Sequence, residues 1–330
     1  MRKPQLGVVM DPIAGINPAK DSSLAMLVEA QRRGYALWYF EQHDLRLRNG
    51  VAQGSARPLR VSDDKAAWFD LGPREELPLA KLDLILMRKD PPFGTEYIYT
   101  TYLLERAELA GVLVVNRPQS LRDMNEKVYT AWFPECCPET MITRSIADMR
   151  SFLAEQGHIV VKPLHGMGGR SIFVLRQGDN NANVVFETLT DYGQQYAMAQ
   201  KYIPEIARGD KRIIIVDGSP VSRALARVPA ADDNRGNLVA GAQPEVRELS
   251  ERDRWICDRV GPVLRERGVL FAGLDVIGDY LTEINVTSPT GIRELQKLGG
   301  LDVAGTLFSA LDARLATRVA GAPDTGKNRA

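Results

Sequence analysis

A glycine-rich loop is the first feature of this sequence whose residue types suit chemistry on a phosphate. Residues 162–171 read Lys-Pro-Leu-His-Gly-Met-Gly-Gly-Arg-Ser. Apolar runs at residues 159–162 and 172–175 flank the loop, which predicts a strand, a loop and a second strand. A P-loop or a dinucleotide fingerprint has its glycines between a strand and a helix, so neither motif fits.

Closely spaced glycines let backbone N–H groups approach a polyphosphate, and a preceding lysine supplies a point charge. We therefore predict that this loop contacts the phosphates of a nucleotide. A flexible hairpin turn is the alternative interpretation, because glycines alone are also typical of turns. The residues concerned are Lys162, Gly166, Met167, Gly168 and Gly169.

The second feature is an acidic hairpin at residues 275–285, with a turn at Gly278 and Asp279. Period-two alternation puts Glu283 and Asn285 on one face of a strand, and a loop of about three residues puts Asp275 opposite Glu283. Facing carboxylates repel unless a cation lies between them, and oxygen ligands of this kind suit Mg²⁺. We predict a magnesium site here, with a solvent-facing polar stripe as the alternative.

The third feature is a set of cations, of which Arg212 and Arg227 differ from the rest. Each lies within or at the edge of an apolar strand, on strands that should face each other, and inward guanidinium groups need an anion. The other members are surface candidates by default: Lys127, Lys201, Lys211 and Arg293. Residues 200–203 offer an apolar surface and backbone groups suited to a purine, or they are ordinary core.

The surrounding elements predict a mixed α/β protein. Apolar strands near residues 6–10, 37–40, 84–87 and 112–115 alternate with helices, which predicts a parallel α/β domain over the first 120 or so residues. A side hairpin is expected at Asn49-Gly50. From residue 158 onward, strands joined by turns predict antiparallel and mixed sheets. The aperiodic stretch at residues 229–243 is typical of a lid.

Composition narrows the functional classes. Lys+Arg and Asp+Glu both total 42, so the overall charge that a nucleic-acid or anionic-membrane binder uses is missing. Three cysteines without metal-ligand spacing favour a reducing compartment, and no stretch approaches the about 20 apolar residues that cross a bilayer. We expect a soluble cytoplasmic protein. A nicotinamide oxidoreductase is disfavoured because residues 11–18 contain only one glycine. The G-x-x-x-x-G-K string at residues 321–327 follows no strand and is set aside.

Together, these features resemble the ATP-grasp ligases, and more closely the bacterial glutathione synthetases. The resemblance runs through nearly the whole chain. Its specific strings include Val-Met-Asp-Pro-Ile at 9–13, Met-Arg-Lys-Asp-Pro-Pro-Phe at 87–93, Asn-Glu-Lys at 125–127 and Leu-Thr-Glu-Ile-Asn-Val-Thr-Ser-Pro at 281–289.

The resemblance implies ATP bound between two antiparallel sheets, beneath the glycine loop. Lys127 and Lys162 would contact phosphates, Asp210 the ribose, and Glu283 with Asn285 the magnesium or manganese ion, with Asp275 a further ligand. Arg212 and Arg227 would stabilise the transition state. The adenine would be lined by Gln200, Lys201, Tyr202 and Ile203.

The implied reaction joins γ-glutamylcysteine and glycine through an acyl phosphate. The resemblance also implies a homotetramer and three structured domains: residues 1–122, 123–203 and 204–318, followed by a disordered tail at 319–330. Another ATP-grasp ligase with different substrates is the nearest alternative, and a non-catalytic nucleotide-binding module is a second. Three departures stand out: His165 replaces a usual Asp, Gly291 replaces a Cys that can occur there, and residues 240–245 lack an expected basic residue.

Overall fold

The computed structural model describes residues 2–166, 168–229 and 241–321. The strands of the first sheet are β1 (Gln5–Val9), β2 (Ala36–Phe40), β3 (Leu45–Arg48), β4 (Val51–Val61), β5 (Phe69–Leu71), β6 (Glu75–Pro78), β7 (Leu84–Met87) and β8 (Leu113–Val115). Its helices are α1 (Ser22–Arg32), α2 (Thr95–Leu109) and α3 (Pro118–Asp123). β1 lies between β2 and β7, parallel to both, and β7 is parallel to β8. The predicted parallel α/β region is confirmed.

Local signals explain where these elements begin and end. The Asp21 side chain accepts a hydrogen bond from the Leu24 N–H at 2.6 Å and so caps α1. The predicted hairpin joins β3 to β4 through Asn49 and Gly50, whose φ angles are 49° and 78°. Positive φ at both central residues is what a tight hairpin turn of this kind requires.

Two antiparallel sheets follow. The second contains β9 (Thr140–Thr143), β10 (His158–Pro163), β11 (Phe173–Arg176) and β12 (Ala197–Lys201), in the order β11-β10-β12-β9. The third contains β13 (Asp210–Val216), β14 (Ser219–Pro220), β15 (Arg223–Val228), β16 (Gln243–Glu248), β17 (Phe271–Ile277) and β18 (Tyr280–Asn285). Its order is β16-β15-β13-β17-β18, and every described pairing in both sheets is antiparallel.

Five helices accompany these two sheets in the described part of the chain. They are α4 (Ile146–Gln156), α5 (Ala182–Thr190), α6 (Glu251–Glu266), α7 (Ile292–Gly299) and α8 (Val303–Gly321). α4 and α5 share one apolar cluster with the second sheet. α8 extends three residues past the predicted end at 318, and the remainder of the predicted tail, 322–330, lies outside the described residues. Most of the predicted lid, 230–240, does so too.

The C-terminal helix returns to the N-terminal sheet. Leu24 and Leu27 of α1, Leu225 of β15 and Phe308 of α8 belong to one buried apolar cluster. Arg33 reinforces the contact by donating to an Asp312 carboxylate oxygen at 2.7 Å. This apolar cluster contains residues from both the first and the third predicted domain. It therefore marks no boundary between them, and the boundaries after residues 122, 203 and 318 stay a prediction.

None of the described helices is long and apolar enough to cross a membrane.

Iodoacetamide is expected to modify the native protein very slowly at pH 8. None of the three cysteines is bridged: Cys136 and Cys257 are buried and Cys137 is partly buried. Burial raises the pKa of Cys136 to about 11 and those of Cys137 and Cys257 to about 12. Only the thiolate reacts, and a pKa of 11 leaves roughly 0.1% thiolate at pH 8. Intact-mass spectrometry over time checks this. The guanidinium-unfolded chain is the control and should take up label rapidly; equal native and unfolded rates would contradict the burial.

Candidate active site

A cavity of about 310 Å³ lies where the second and third sheets meet. Its wall contains every predicted site residue that the structure describes: Lys127, Lys162, Gly166, Gly168, Gly169, Gln200, Lys201, Tyr202, Ile203, Asp210, Arg212, Arg227, Asp275, Glu283 and Asn285. Met167 lies outside the described residues. Residues separated by more than 150 positions in the sequence therefore meet around one space.

The glycine loop leaves β10 at Pro163 and enters β11 at Phe173, and the two strands are antiparallel. The predicted strand, loop and strand are thus confirmed. Gly168 and Gly169 have φ angles of 69° and 74°, where a side chain would be strained. The Lys127 ammonium donates to the Gly166 carbonyl at 2.7 Å, which fixes the loop beside a buried positive charge.

The acidic hairpin has the predicted pairing but reaches it by another route. Ile277 pairs with Tyr280 across a two-residue turn, and a β-bulge then shifts the register. The shift leaves Thr282 as the extra residue and brings Asp275 opposite Glu283. A three-residue loop was expected to bring these two residues opposite each other. The two-residue turn and the one extra residue of the bulge have the same effect on the pairing.

Asp275 is held by two arginines. Its carboxylate accepts from Arg212 Nε at 2.8 Å and Arg212 Nη2 at 2.7 Å, and Arg227 Nη2 lies 3.0 Å away. The Asn285 amide donates to the same carboxylate at 3.1 Å. Burial raises the pKa of Asp275, but the two guanidinium groups outweigh burial and hold that pKa well below its usual value. Asp275 is therefore ionised and already coordinated by donors.

Glu283 faces two buried lysines at longer range. One of its oxygens lies 3.6 Å from Lys127 Nζ and 3.7 Å from Lys162 Nζ, beyond ordinary hydrogen-bond distance. Burial lowers the pKa of Lys162, while Glu283 raises it. Lys127 otherwise donates to the Gly166 carbonyl and Lys162 to the Thr282 carbonyl at 3.4 Å, so each ammonium keeps N–H donors for a phosphate. The loosely paired carboxylate can meet a cation.

Two buried polar atoms at the centre of the site have no hydrogen-bond partner among the described residues: Asp210 Oδ1 and Arg227 Nε. The other oxygen of Asp210 bonds Arg227 Nη2. Burial raises the pKa of Asp210 to about 7, and the Arg227 charge opposes that rise. Unpartnered buried polar atoms cost free energy, which indicates that a polar ligand normally completes them.

The segment predicted to line the adenine forms the end of β12 and the turn after it. Gln200 and Ile203 are buried, and the Tyr202 ring stacks on His158 with centroids 3.9 Å apart. The backbone N–H groups of Lys201 and Tyr202 are bonded to Glu139 O and His158 O. These two N–H groups are therefore not available to a purine, although the sequence predicted exposed backbone groups in the segment 200–203.

Five apolar residues complete this part of the wall, and the sequence interpretation did not include them. Val160, Val174 and Ile277 lie on β10, β11 and β17, Ile172 precedes β11, and Ile206 lies in a short 3-10 helix, Pro204–Arg208. A signal for Val160 was present, because it is two residues from Lys162 on β10 and so shares its face. The two-residue alternation of strand side chains would therefore have predicted Val160 as an apolar contact for a flat base beside Lys162.

Glu126 is a further lining residue to which no role was assigned. Its carboxylate accepts from Thr287 Oγ1 at 2.8 Å, and its carbonyl accepts from the Ile284 N–H at 2.8 Å. Burial and the nearby Glu283 raise the pKa of its carboxyl group. Glu126 thereby links the end of β18 to the segment that carries Lys127.

Two of the candidate cations lie elsewhere. Lys211 bonds Asp253 at 2.5 Å and the Gly278 carbonyl at 3.0 Å, and Arg293 pairs with Asp63 at 2.7 Å. Neither lines the cavity. Surface cations were the default expectation for both, whereas their side chains are 14% and 15% exposed and are paired with carboxylates.

This fold and site define an ATP-grasp ligase. Solved structures similar over nearly the full chain include the D-cycloserine synthetase DcsG (17% identity, TM-score 0.67, covering 94% of this chain and 99% of that one). The ATP-grasp ligase PsnB matches with 18% identity and a TM-score of 0.62, covering 94% of this chain and 97% of its own. At such identities these neighbours establish the fold alone.

The chain belongs to the prokaryotic glutathione synthetase family. The family's N-terminal domain matches residues 5–122 and its ATP-grasp domain matches residues 126–300. Glutathione synthetase of Shewanella oneidensis is 58% identical over 311 residues, 94% of this chain and 99% of that protein. That of Pseudomonas aeruginosa is 58% identical over 314 residues, 95% and 99% of the two chains. The protein is therefore an ATP-dependent ligase of glutathione synthesis.

Proposed function

We propose that this enzyme joins the cysteinyl carboxylate of γ-glutamylcysteine to the amine of glycine, giving glutathione, ADP and phosphate. The observation that carries the proposal is one cavity, lined by the glycine loop, into which several groups converge. They are two buried lysines, two buried arginines and the side-chain oxygens of Glu283 and Asn285. Phosphoryl transfer needs positioning and charge neutralisation more than it needs a protein nucleophile.

The reaction has two steps. A carboxylate oxygen of the cysteinyl residue bonds the γ-phosphorus of ATP, while the bond from that phosphorus to the β,γ-bridging oxygen breaks. The former bridging oxygen leaves with ADP, and the carboxylate becomes an acyl phosphate. The glycine nitrogen then attacks the acyl carbon and loses a proton, while phosphate leaves with the electron pair of the broken C–O bond. A free carboxylate would resist this attack because it is anionic and lacks a leaving group.

Each group in the cavity has a proposed part. Lys127, Lys162 and the backbone of the glycine loop hold the phosphates, and Arg212 and Arg227 stabilise charge on the transferring group. Asp210 accepts from the ribose, which would complete its unpartnered oxygen. The adenine lies against Gln200, Lys201, Tyr202 and Ile203.

Glu283 and Asn285 suit a divalent cation. Among the described residues the Glu283 carboxylate has no hydrogen-bond donor. The Asn285 NH2 group donates two hydrogen bonds, so the amide oxygen is the atom that a cation would take. Magnesium prefers such oxygens together with substrate phosphates, and we propose it over manganese. When bound, the ion would neutralise phosphate charge. Asp275 is held by arginines, so we propose it as a ligand only after phosphate oxygens have taken over those guanidinium groups.

Charge supports the need for a cation. The cavity lining nearly balances six cations against five carboxylates: Lys127, Lys162, Arg170, Lys201, Arg212 and Arg227 against Asp90, Glu126, Asp210, Asp275 and Glu283. A site so balanced has little net attraction for a triphosphate. A divalent ion would tip that balance toward the anion.

Heavy-oxygen labelling tests the reaction. γ-Glutamylcysteine carrying ¹⁸O in its cysteinyl carboxylate is incubated with glycine and ATP, and released phosphate is analysed by mass spectrometry. One labelled oxygen in phosphate is expected, because the carboxylate oxygen stays with phosphorus when the acyl phosphate breaks. Unlabelled phosphate beside newly formed glutathione would overturn the acyl phosphate; absent glutathione would favour a ligase for other substrates.

Glu283→Gln is expected to weaken magnesium-dependent nucleotide binding by a factor on the order of 10 or more, because the change removes a charged oxygen ligand. Calorimetric titration with a non-hydrolysable ATP analogue, at several magnesium concentrations, measures the effect. Glu248→Gln is the matched control, since Glu248 is exposed and pairs only with Arg223 in the described structure. An unchanged magnesium dependence in Glu283→Gln would remove Glu283 from the ligand set.

We also propose a cytoplasmic enzyme that assembles as a homotetramer. The three unbridged cysteines support a reducing compartment. The tetramer is supported by the family resemblance, and sedimentation velocity tests it.

A further inference from the structure

A stacked pair of aromatic rings lies at the edge of the nucleotide cavity, and only one of its two members lines that cavity. The imidazole ring of His158 stacks on the phenol ring of Tyr202, with centroids 3.9 Å apart and planes 20° from parallel. Tyr202 borders the cavity, whereas His158 does not. His158 has no part in the phosphoryl transfer proposed above, so that transfer does not explain why its ring lies there.

Strand β10 places His158 on the face that carries the cavity lining. Side chains at every second position of a strand share a face, so His158, Val160 and Lys162 point the same way. Val160 and Lys162 line the cavity. Ile159 and Val161, on the opposite face, belong to the apolar core of the second sheet. His158 is therefore the next side chain in a row that contains the proposed phosphate-binding lysine and an apolar contact for the base.

Tyr202 depends on support from outside its own strand. β12 ends at Lys201, and the pairing of Ile159 with Lys201 is the last one between β10 and β12 at this end. Beyond it, the Tyr202 N–H donates to the His158 carbonyl at 3.0 Å. The residue that accepts this backbone hydrogen bond is thus the residue whose ring packs on the tyrosine. His158 holds both the backbone and the side chain of Tyr202.

The His158 ring acts through its face. Its Nε2 is buried and has no hydrogen-bond partner among the described residues. Burial and the charge of Arg176, which pairs with His158 across β11, lower the pKa of the imidazole and favour the neutral ring at pH 7. A neutral ring whose Nε2 is unbonded contributes through contact with the neighbouring ring, for which the stacked geometry is favourable.

A fixed Tyr202 ring preorganises the part of the cavity proposed for the base. Tyr202 is only partly buried and lies in a turn, so its side chain would sample several rotamers without a neighbour. A side chain that becomes ordered only when a ligand binds costs free energy that the ligand has to supply. The stack on His158 removes that cost before the nucleotide binds.

We propose that His158 is a positioning residue for the nucleotide base, which holds the Tyr202 ring in the orientation that the base contacts. The inference rests on the place of the adenine in the proposed function. His158 touches neither the nucleotide nor the reacting atoms, and it acts through Tyr202. Its effect is therefore confined to ligands that carry a base.

Calorimetric titration with ADP in the presence of magnesium measures this effect without either amino-acid substrate. His158→Ala is expected to raise the Kd for ADP by a factor of about 2 to 10, the range for loss of one aromatic pair. Inorganic tripolyphosphate has phosphates and no base, so its Kd should be the same for wild type and variant. His158→Phe keeps a flat ring and should return the Kd for ADP close to the wild-type value.

A double-mutant cycle shows whether the effect passes through the tyrosine. Tyr202→Ala should itself weaken ADP binding, and adding His158→Ala to it should have no further effect. In steady-state turnover, His158→Ala should raise the KM for ATP and leave kcat unchanged. His43→Ala is the control, because it removes the same ring from a side chain that is 68% exposed and does not line the nucleotide cavity. It should leave the Kd for ADP unchanged.

The outcomes separate this role from the proposed function. An unchanged Kd for ADP in His158→Ala, or an equal loss of affinity for tripolyphosphate, would overturn the positioning role. The same holds if His158→Ala has an equal effect with and without Tyr202. A wild-type Kd in Tyr202→Ala would contradict the proposed place of the adenine together with this inference.

The substrates are tested independently of the base. If the ADP results are as expected but the enzyme makes no glutathione, the proposed reaction fails and the role of His158 stands. Should His158→Ala not fold, His158→Leu takes its place, because leucine fills a similar volume without a ring. The Kd for ADP of that variant should rise by the same factor, and a wild-type value would overturn the role of the stack.

Discussion

Turnover by the Arg227→Ala variant is expected to fall by a factor on the order of 10² to 10³. Arg227 lies on β15 with its side chain buried, its Nη2 bonded to Asp210 and its Nε without a partner among the described residues. A guanidinium group fixed in this way can meet charge that develops on a transferring phosphoryl group without first reorganising. Initial rates of phosphate release at saturating substrates measure kcat.

A matched arginine on the same strand serves as the control. Arg223 is half exposed, pairs with Glu248 at 2.7 Å and does not line the cavity. Arg223→Ala should therefore retain turnover within about two-fold, the size expected for loss of an exposed ion pair. Arg227→Lys keeps the charge but loses the planar fork, so only partial recovery is expected.

Loss of turnover has to be separated from loss of fold. Removing Arg227 leaves two buried carboxylates, Asp210 and Asp275, with Arg212 as their nearest remaining guanidinium partner. Circular dichroism melting, with and without ATP, should show a folded variant that has lost little affinity for ATP. Wild-type turnover in Arg227→Ala would remove this residue from the mechanism. A variant that is unfolded at the assay temperature would assign Arg227 a structural role instead.

The strand arginines show what sequence can predict. Apolar neighbours marked Arg212 and Arg227 as inward residues of strands that should face each other, and the chain does turn after the first of these strands, at Asp217 and Gly218. The register confirms this, since Asp210 pairs with Arg227 and β13 is antiparallel to β15. Local alternation and a short turn contain that information.

The partner of Asp275 could not be read in the same way. The sequence suggested a carboxylate facing Glu283 and needing a cation between them, but Arg212 is directly opposite Asp275 on the neighbouring strand. Those residues are 63 positions apart, joined through β15, β16 and α6. No local period specifies which distant strand a hairpin will join, so neutralisation by arginines appears only in the folded chain.

Some of the missed elements had weak local signals. Ser145 caps α4 by accepting from the Asp148 N–H at 3.2 Å, and a Ser followed three residues later by Asp is a start signal that the sequence does contain. α5 contains two adjacent valines, which favour strands, and is a helix because its apolar face packs on the second sheet. Tertiary packing decided the second case.

Asn116→Ala is expected to lower the free energy of unfolding by about 3 to 5 kcal/mol. Asn116 is only 3% exposed and follows β8. Its amide donates to Phe271 O at 2.7 Å and Val286 O at 2.6 Å, and its oxygen accepts from the N–H groups of Leu270 and Phe271 at 2.9 and 3.0 Å. Alanine would leave four buried backbone groups without these partners. Urea unfolding followed by fluorescence gives the midpoint and slope.

Asn180→Ala is the control, because Asn180 is exposed and distant in sequence from this junction; it should change the unfolding free energy by less than about 0.5 kcal/mol. The four bonds of Asn116 hold the start of β17 and the residue just after β18. These two strands carry Asp275, Glu283 and Asn285. The N-terminal sheet thus fixes the hairpin of the proposed metal site through one side chain, and Asn116→Ala should weaken nucleotide binding as well as the fold. An unchanged urea midpoint would mean that water replaces all four bonds at no cost, and the other contacts of the hairpin, among them the pairing of β17 with β13, would then suffice to hold it.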